Sequence, residues 1–138
     1  MTPEDRARRE RLAPGTPVGI DEAMIHRLVH AFYAKVRRDS VLGPIFDAAI
    51  GDRWDEHLAR LCDFWSSVML MTGRFKGTPM SAHMALPDIR RGHFARWLHL
   101  FQQTAEETCP PQAAALFRAK SEIIAQSLLM GVESQRRA

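Results

Sequence analysis

Residues 52–73 read DRWDEHLARLCDFWSSVMLMTG, and the spacing of their large apolar side chains decides the fold class. Trp54, Leu58, Leu61, Trp65, Val68 and Met69 recur at three- and four-residue intervals. On a helix of about 3.6 residues per turn this is a single stripe. His57 projects from the same side as Leu61 and Val68, so an imidazole is expected at or near the inward face. Gly73 closes the run.

Upstream, Asp21 is placed to cap a second amphipathic helix, its carboxylate accepting from the free N–H groups of the first turn. Met24, Leu28, Phe32 and Val36 recur at i+4 with Ile25, Val29 and Tyr33 beside them, which carries that helix to about Arg38. Leu42-Gly43-Pro44-Ile45-Phe46 reads as a turn followed by a short helical piece, because the residue before proline is pushed out of the α region. Phe46 then fills a tight corner.

Downstream, Gly73, Gly77, Pro79 and Pro87 break any long helix. Only a turn or two fits between Pro79 and Leu86, and His83 lies in it. Asp88 is placed to cap a helix to about Thr108, with Phe94, Trp97, Leu98 and Phe101 at helical spacing. Pro110 and Pro111 stop that helix and start the last one, carried by Ala114, Leu116, Phe117, Ile123, Ile124, Leu128 and Met130. No strand-period alternation interrupts these patterns, so the chain is expected to be all-α.

The 138 residues fit one domain. Residues 1–19, charged and then punctuated by Pro14, Gly15, Pro17 and Gly19, read as a flexible N-terminal arm, and 20–138 as the folded domain. The net charge of +3 is scattered: Arg6, Arg8, Arg9 and Arg11 alternate with Glu4, Asp5 and Glu10. A nucleic-acid partner calls for basic residues clustered on one face, so none is expected. No apolar run marks a leader or a membrane span. Cys62 and Cys109 have neither zinc spacing nor a disulfide framework and read as small buried hydrophobes. A cytoplasmic protein with no membrane partner is the expectation.

Six histidines are present. His26, His30 and His99 read as solvated side chains. His93 lies four residues before Trp97 and could reach the same face. His83 has the surroundings of an iron ligand: a short helix bounded by breakers, flanked by Met80, Met84 and Leu86. A haem-ligating imidazole needs its second ring N–H pinned, and an irregular helix end offers spare carbonyls for that. Tyr33, the chain's single tyrosine, falls on an inward stripe, and its hydroxyl is costly to bury without a partner. The indole of Trp97 poses the same problem. Two buried donors converging with His57 would suit a partly negative bound ligand.

Together the segments Phe32-Tyr33-Ala34-Lys35-Val36-Arg37, Leu42-Gly43-Pro44-Ile45-Phe46, Trp54 with His57, Phe64-Trp65, Thr72-Gly73-Arg74-Phe75, His83 with Leu86-Pro87, and Phe94 to Phe101 resemble the group III truncated haemoglobins. The resemblance runs in order from about Ile20 to Leu129. The absence of Gly-Gly pairs at helix junctions and the histidine at position 57 fit that branch; the long stretch before Ile20 departs from its compact pattern.

The resemblance implies a truncated globin domain over 20–138, a two-over-two helical sandwich around haem b. By carry-over His83 is the iron ligand, and Phe46, Arg60, Leu61, Phe32 and Trp65 contact the cofactor, with Arg60 meeting a propionate. Tyr33, His57 and Trp97 are the distal residues facing the ligand. The expected partners are the diatomic gases O2, CO and NO, held tightly and for ligand chemistry or sensing more than transport. A haem enzyme with NO-dioxygenase or peroxidase-like activity, served by a reductase, is the alternative; a cofactor-free helical interaction module is the third class. A monomer or weak dimer is expected.

Overall fold

In the computed structural model the described residues are 2–76 and 90–137, so that His83 and Asp88 lie outside them. The helices are α1 (Pro3–Leu12), α2 (Glu22–Arg38), α3 (Leu42–Ile50), α4 (Trp54–Leu70), α5 (Arg91–Thr108) and α6 (Pro111–Arg137), with a 3-10 turn over Thr16–Val18. Among the described residues there is no strand. α2 packs against α3, α4 and α5, and α5 packs along α6. The α2/α4 pair and the α5/α6 pair are therefore the two layers of a two-over-two sandwich, as expected.

Asp21 caps α2 as its position predicts, Oδ1 accepting the Met24 N–H at 2.8 Å. The stripe of that helix is buried: Ile25, Leu28, Val29, Phe32 and Val36 are sealed from solvent. Phe32 meets the rings of Trp97 and Phe101 edge-on, with centroids 5.4 and 5.1 Å away. Trp65 of α4 stacks on Phe101 at 5.0 Å and reaches Phe117 of α6 at 5.4 Å. Such pairs add about 0.5–1.5 kcal/mol each beyond the area they bury, so the layers are joined by an aromatic column. Cys109 is buried and Cys62 half-buried, both free. Burial pushes both thiols up, which keeps them protonated and inert.

The corner before α4 differs from its reading. α3 begins at Leu42, ahead of Pro44 rather than after it. Proline lacks only an N–H that the first turn leaves unused, and Gly43 carries no side chain to collide with the ring. Gly43 is required for a second reason: a Cβ there would lie 2.7 Å from the carbonyl oxygen of Arg37. The turn is held by Asp39, whose Oδ2 accepts the N–H groups of Val41 and Leu42 at 3.0 and 2.8 Å.

Asp39 also pairs with Arg96 of α5 at 2.7 Å. The Arg96 guanidinium first, and then the two N–H groups, pull the Asp39 carboxyl from 3.8 down to about 2 against the opposing effect of burial. A depressed folded-state pKa means that the contribution is complete above the unfolded value and is lost as pH falls through the folded one. Asp39→Asn is expected to lower Tm at pH 7 and to flatten the fall of Tm between 3.8 and about 2. Parallel Tm profiles for variant and wild type across that window would discard the role.

The exit from α4 is fixed by a half-buried polar cluster around Ser66. Ser66, sealed from solvent, donates to Glu22 Oε1 at 2.5 Å and lies 2.8 Å from Thr72 Oγ1. Arg74 joins Glu22 at 3.3 Å, and the Phe75 N–H donates to Ser67 Oγ at 2.9 Å. Met71, at φ 55°, is in the left-handed region that ends the helix.

Within the stretch 1–19, α1 is exposed, while Ala13 is 1% exposed. The Gly15 N–H donates to the Met69 carbonyl at 2.8 Å, and a Cβ on Gly15 would sit 2.8 Å from that same oxygen.

Candidate functional site

α2, α3, α4 and α5 bring one group of side chains together. Tyr33, 4% exposed, projects from α2; Trp97, 8% exposed, comes from α5 and places its indole Nε1 3.5 Å from the Tyr33 hydroxyl oxygen. His57 of α4 meets the Tyr33 ring at 5.5 Å between centroids, nearly perpendicular, and its Nε2 is shielded from solvent. Phe46 of α3 closes the group at 6.1 Å from Tyr33, and Phe32 flanks it at 4.6 Å. Thus Tyr33, Trp97, His57, Phe46 and Phe32 share one site.

Burial pushes the Tyr33 hydroxyl up to about 12, the Trp97 N–H opposing it. The phenol therefore keeps its proton throughout the physiological range and remains a donor. Among the described residues its hydrogen-bond partner is the Trp97 indole, from which it accepts, leaving its own proton available. At 3.5 Å that bond is at the long limit, so both groups gain from a better acceptor set between them. Aromatic walls keep the local dielectric low, which strengthens any such bond.

The remaining expected residues are placed elsewhere. Trp65 stacks against α5 and α6, deeper in the core. Leu61 is half-buried and packs at the edge of the core with Leu58 and Phe64. Arg60 is exposed, its guanidinium 5.7 Å from the ring centroid of Phe75, which meets Phe64 edge-on at 5.4 Å. His93 acts locally, its Nδ1 accepting the Arg90 N–H at 2.9 Å at the start of α5, one arm of a capping box. That start, at Arg91, is later than an Asp88 cap would set it.

Trp54 belongs to the site although its spacing assigns it only to a stripe. Its ring lies 6.0 Å from Tyr33 and 5.7 Å from His57. Its indole donates to Asp47 Oδ1 at 3.0 Å while the Arg37 guanidinium sits 4.6 Å above the ring. The available signal was its place three residues before His57, since positions i and i+3 are neighbours on a helix face.

Among the described residues no group of three His, Cys, Asp or Glu is gathered to hold a bare metal ion, and no helix is long and apolar enough to cross a membrane. The donor set suits a small, partly negative ligand beside a large apolar one: an O–H, an indole N–H and an imidazole within aromatic walls, with half-buried Leu58, Leu61 and Phe64 along α4.

No protein-family model matches the sequence. The chain is 40% identical over 88 residues to the Group 3 truncated hemoglobin ctb of Campylobacter jejuni, a match that spans 62% of this chain and 69% of that relative. Its structure superposes on the crystal structure of the group III truncated hemoglobin from Campylobacter jejuni with a TM-score of 0.78 and 32% identity, over 82% of this chain and 91% of the other. With a relative matched in sequence over more than two thirds of its length and a solved structure matched over nine tenths, the chain belongs to the group III truncated haemoglobin family.

Proposed function

We propose that this protein binds haem b through His83 and holds diatomic ligands, O2, CO and NO, against Tyr33, Trp97 and His57. The observation that carries the reading is the pairing of the Tyr33 hydroxyl with the Trp97 indole beside His57 in a buried aromatic site. The side chains present fit the cofactor: half-buried apolar residues along α4 that would pack on a flat ring system, and polar donors gathered around Tyr33 that would serve a ligand of its iron.

Haem, when bound, supplies an iron with one open position for a small ligand. Everything else is the work of the chain. Tyr33 and Trp97 turn an O–H and an N–H toward the ligand and stabilise charge that moves onto it. Phe32, Phe46 and Trp54 exclude water, so the two bonds keep their strength. Trp54, anchored by Asp47 and Arg37, holds the orientation of Tyr33 and His57. Leu61 and Trp65 back the apolar side, and Arg60, at the rim, is the cation for a propionate. Two aimed donors favour retention over delivery, which suits ligand chemistry or sensing.

An absorption spectrum of the purified full chain tests the reading. A Soret band that sharpens with dithionite and shifts with CO is expected. A colourless protein that takes up no added haem would refute it. Rapid turnover of NO or peroxide with a reductase present would move the protein from ligand holder to haem enzyme.

A further inference from the structure

The exposed face of α2 carries a second feature, outside the site described above. His26 and His30, expected to be separate solvated side chains, form a pair. Their rings stack with centroids 4.0 Å apart and planes inclined by only 21°. They stand four residues apart, one turn of helix, and both residues are exposed.

We propose that His26 and His30 form a two-imidazole chelate for a late first-row divalent cation, Cu2+, Ni2+ or Zn2+, on the solvent face of α2. Imidazole nitrogens bind such ions at about 2.0–2.1 Å, so two of them on one ion are about 2.9 Å apart at a right angle and about 3.4 Å at a tetrahedral one. Stacked rings aim their lone pairs in parallel. The chelate therefore forms when the two exposed side chains turn about their side-chain bonds and open the ring planes from 21° toward a right angle, bringing one nitrogen of each ring to that separation. The helix supplies the preorganisation: once one ring has bound, the second is already at hand, and its binding is intramolecular.

Carboxylate and charge support the same place. Asp55 of α4 acts electrostatically on His30, raising its pKa, while partial burial and then His26 lower it, with a net lowering. The ligating form of imidazole is the neutral one. No third His, Cys, Asp or Glu completes a cage among the described residues. The other coordination positions therefore belong to water, and Asp55 assists from the outer sphere. Imidazole ligation with open water positions suits Cu2+ and Ni2+ especially, and the order of intrinsic affinities puts Cu2+ first. A bound ion would clip together the turn of α2 that immediately precedes Phe32 and Tyr33.

Calorimetric titration of the haem-loaded full chain, carrying no affinity tag, with Ni2+ alone tests this. One ion per chain is expected, with Kd raised at least about tenfold in both His26→Gln and His30→Gln, because each variant loses the intramolecular second ligand. His99→Gln, which removes another exposed imidazole on α5, is expected to titrate like wild type. The proposal is overturned if wild type shows no saturable binding below about 1 mM, a free energy of only about 4 kcal/mol. It is overturned equally if either helix α2 variant binds as wild type does, or if His99→Gln is as weak as they are.

Discussion

Stopped-flow measurement on the reduced, haem-loaded Tyr33→Phe variant is expected to show O2 leaving about ten- to a hundredfold faster than from wild type. A hydrogen bond to a charged acceptor contributes roughly 1.5–3 kcal/mol, and each 1.4 kcal/mol is tenfold in rate when it is lost from the bound state alone. Phenylalanine keeps the edge contacts of Tyr33 with Phe32, Phe46 and His57, so the change isolates the hydroxyl. Trp97→Phe removes the other donor, and the double variant is expected to fall short of the product of the singles. The reason is geometric: the two groups touch, and residues in contact are coupled rather than additive. CO, which draws less charge from the site, should leave at a rate much less altered. An O2 off-rate unchanged in Tyr33→Phe would end the assignment of Tyr33 as a donor.

The second large effect is expected at His83. His83→Ala should be purified without a Soret band and should fail to retain added haem through gel filtration. The positions of the other histidines make the test decisive. His26 and His30 lie on the solvent face of α2, His99 is exposed on α5, and His57 stands against the Tyr33 ring. His93 is the competitor to test, its Nδ1 accepting the Arg90 N–H at the start of α5. A His83→Ala protein with a normal ferrous spectrum would therefore refute the His83 assignment. Repeating the experiment on His93→Ala would then show whether that residue is the ligand. Imidazole added to His83→Ala should restore colour if only the ligand, and not the fold, has been lost.

What the sequence made legible was the part governed by local periodicity. The stripes of α2 and α4, the Asp21 cap and the Pro110-Pro111 break all follow from spacing or from one backbone group, and the structure has each of them. The corner at Gly43 was misplaced because Asp39 serves the Val41 and Leu42 N–H groups and proline is tolerated in the first turn, so the helix starts ahead of Pro44. Site membership divides in the same way. Tyr33, Trp97 and His57 announce themselves as polar groups on inward faces, whereas Trp54 looks like any core tryptophan until Asp47 and Arg37 are seen to orient it. The stacking of Trp65 on Phe101 and its contact with Phe117 were not foreseen, because ring stacking across layers has no sequence signature. The Ser66, Glu22 and Thr72 cluster was invisible for that reason too: hydroxyls and carboxylates 44 positions apart in Ser66 and Glu22 carry no mutual spacing rule.

The bond between the Gly15 N–H and the Met69 carbonyl gives the beginning of the chain a mechanical meaning. The last carbonyls of a helix need partners from outside it, and here one partner comes from a residue more than fifty positions earlier. The backbone that departs from α4 toward His83 is thus braced by chain that precedes the globin helices. Any side chain at position 15 would push into the oxygen it should bind. Removing the first nineteen residues is expected to unlatch the final turn of the helix that bears His57. A stretch that resembles packaging is in this sense an anchor bolt for the end of α4.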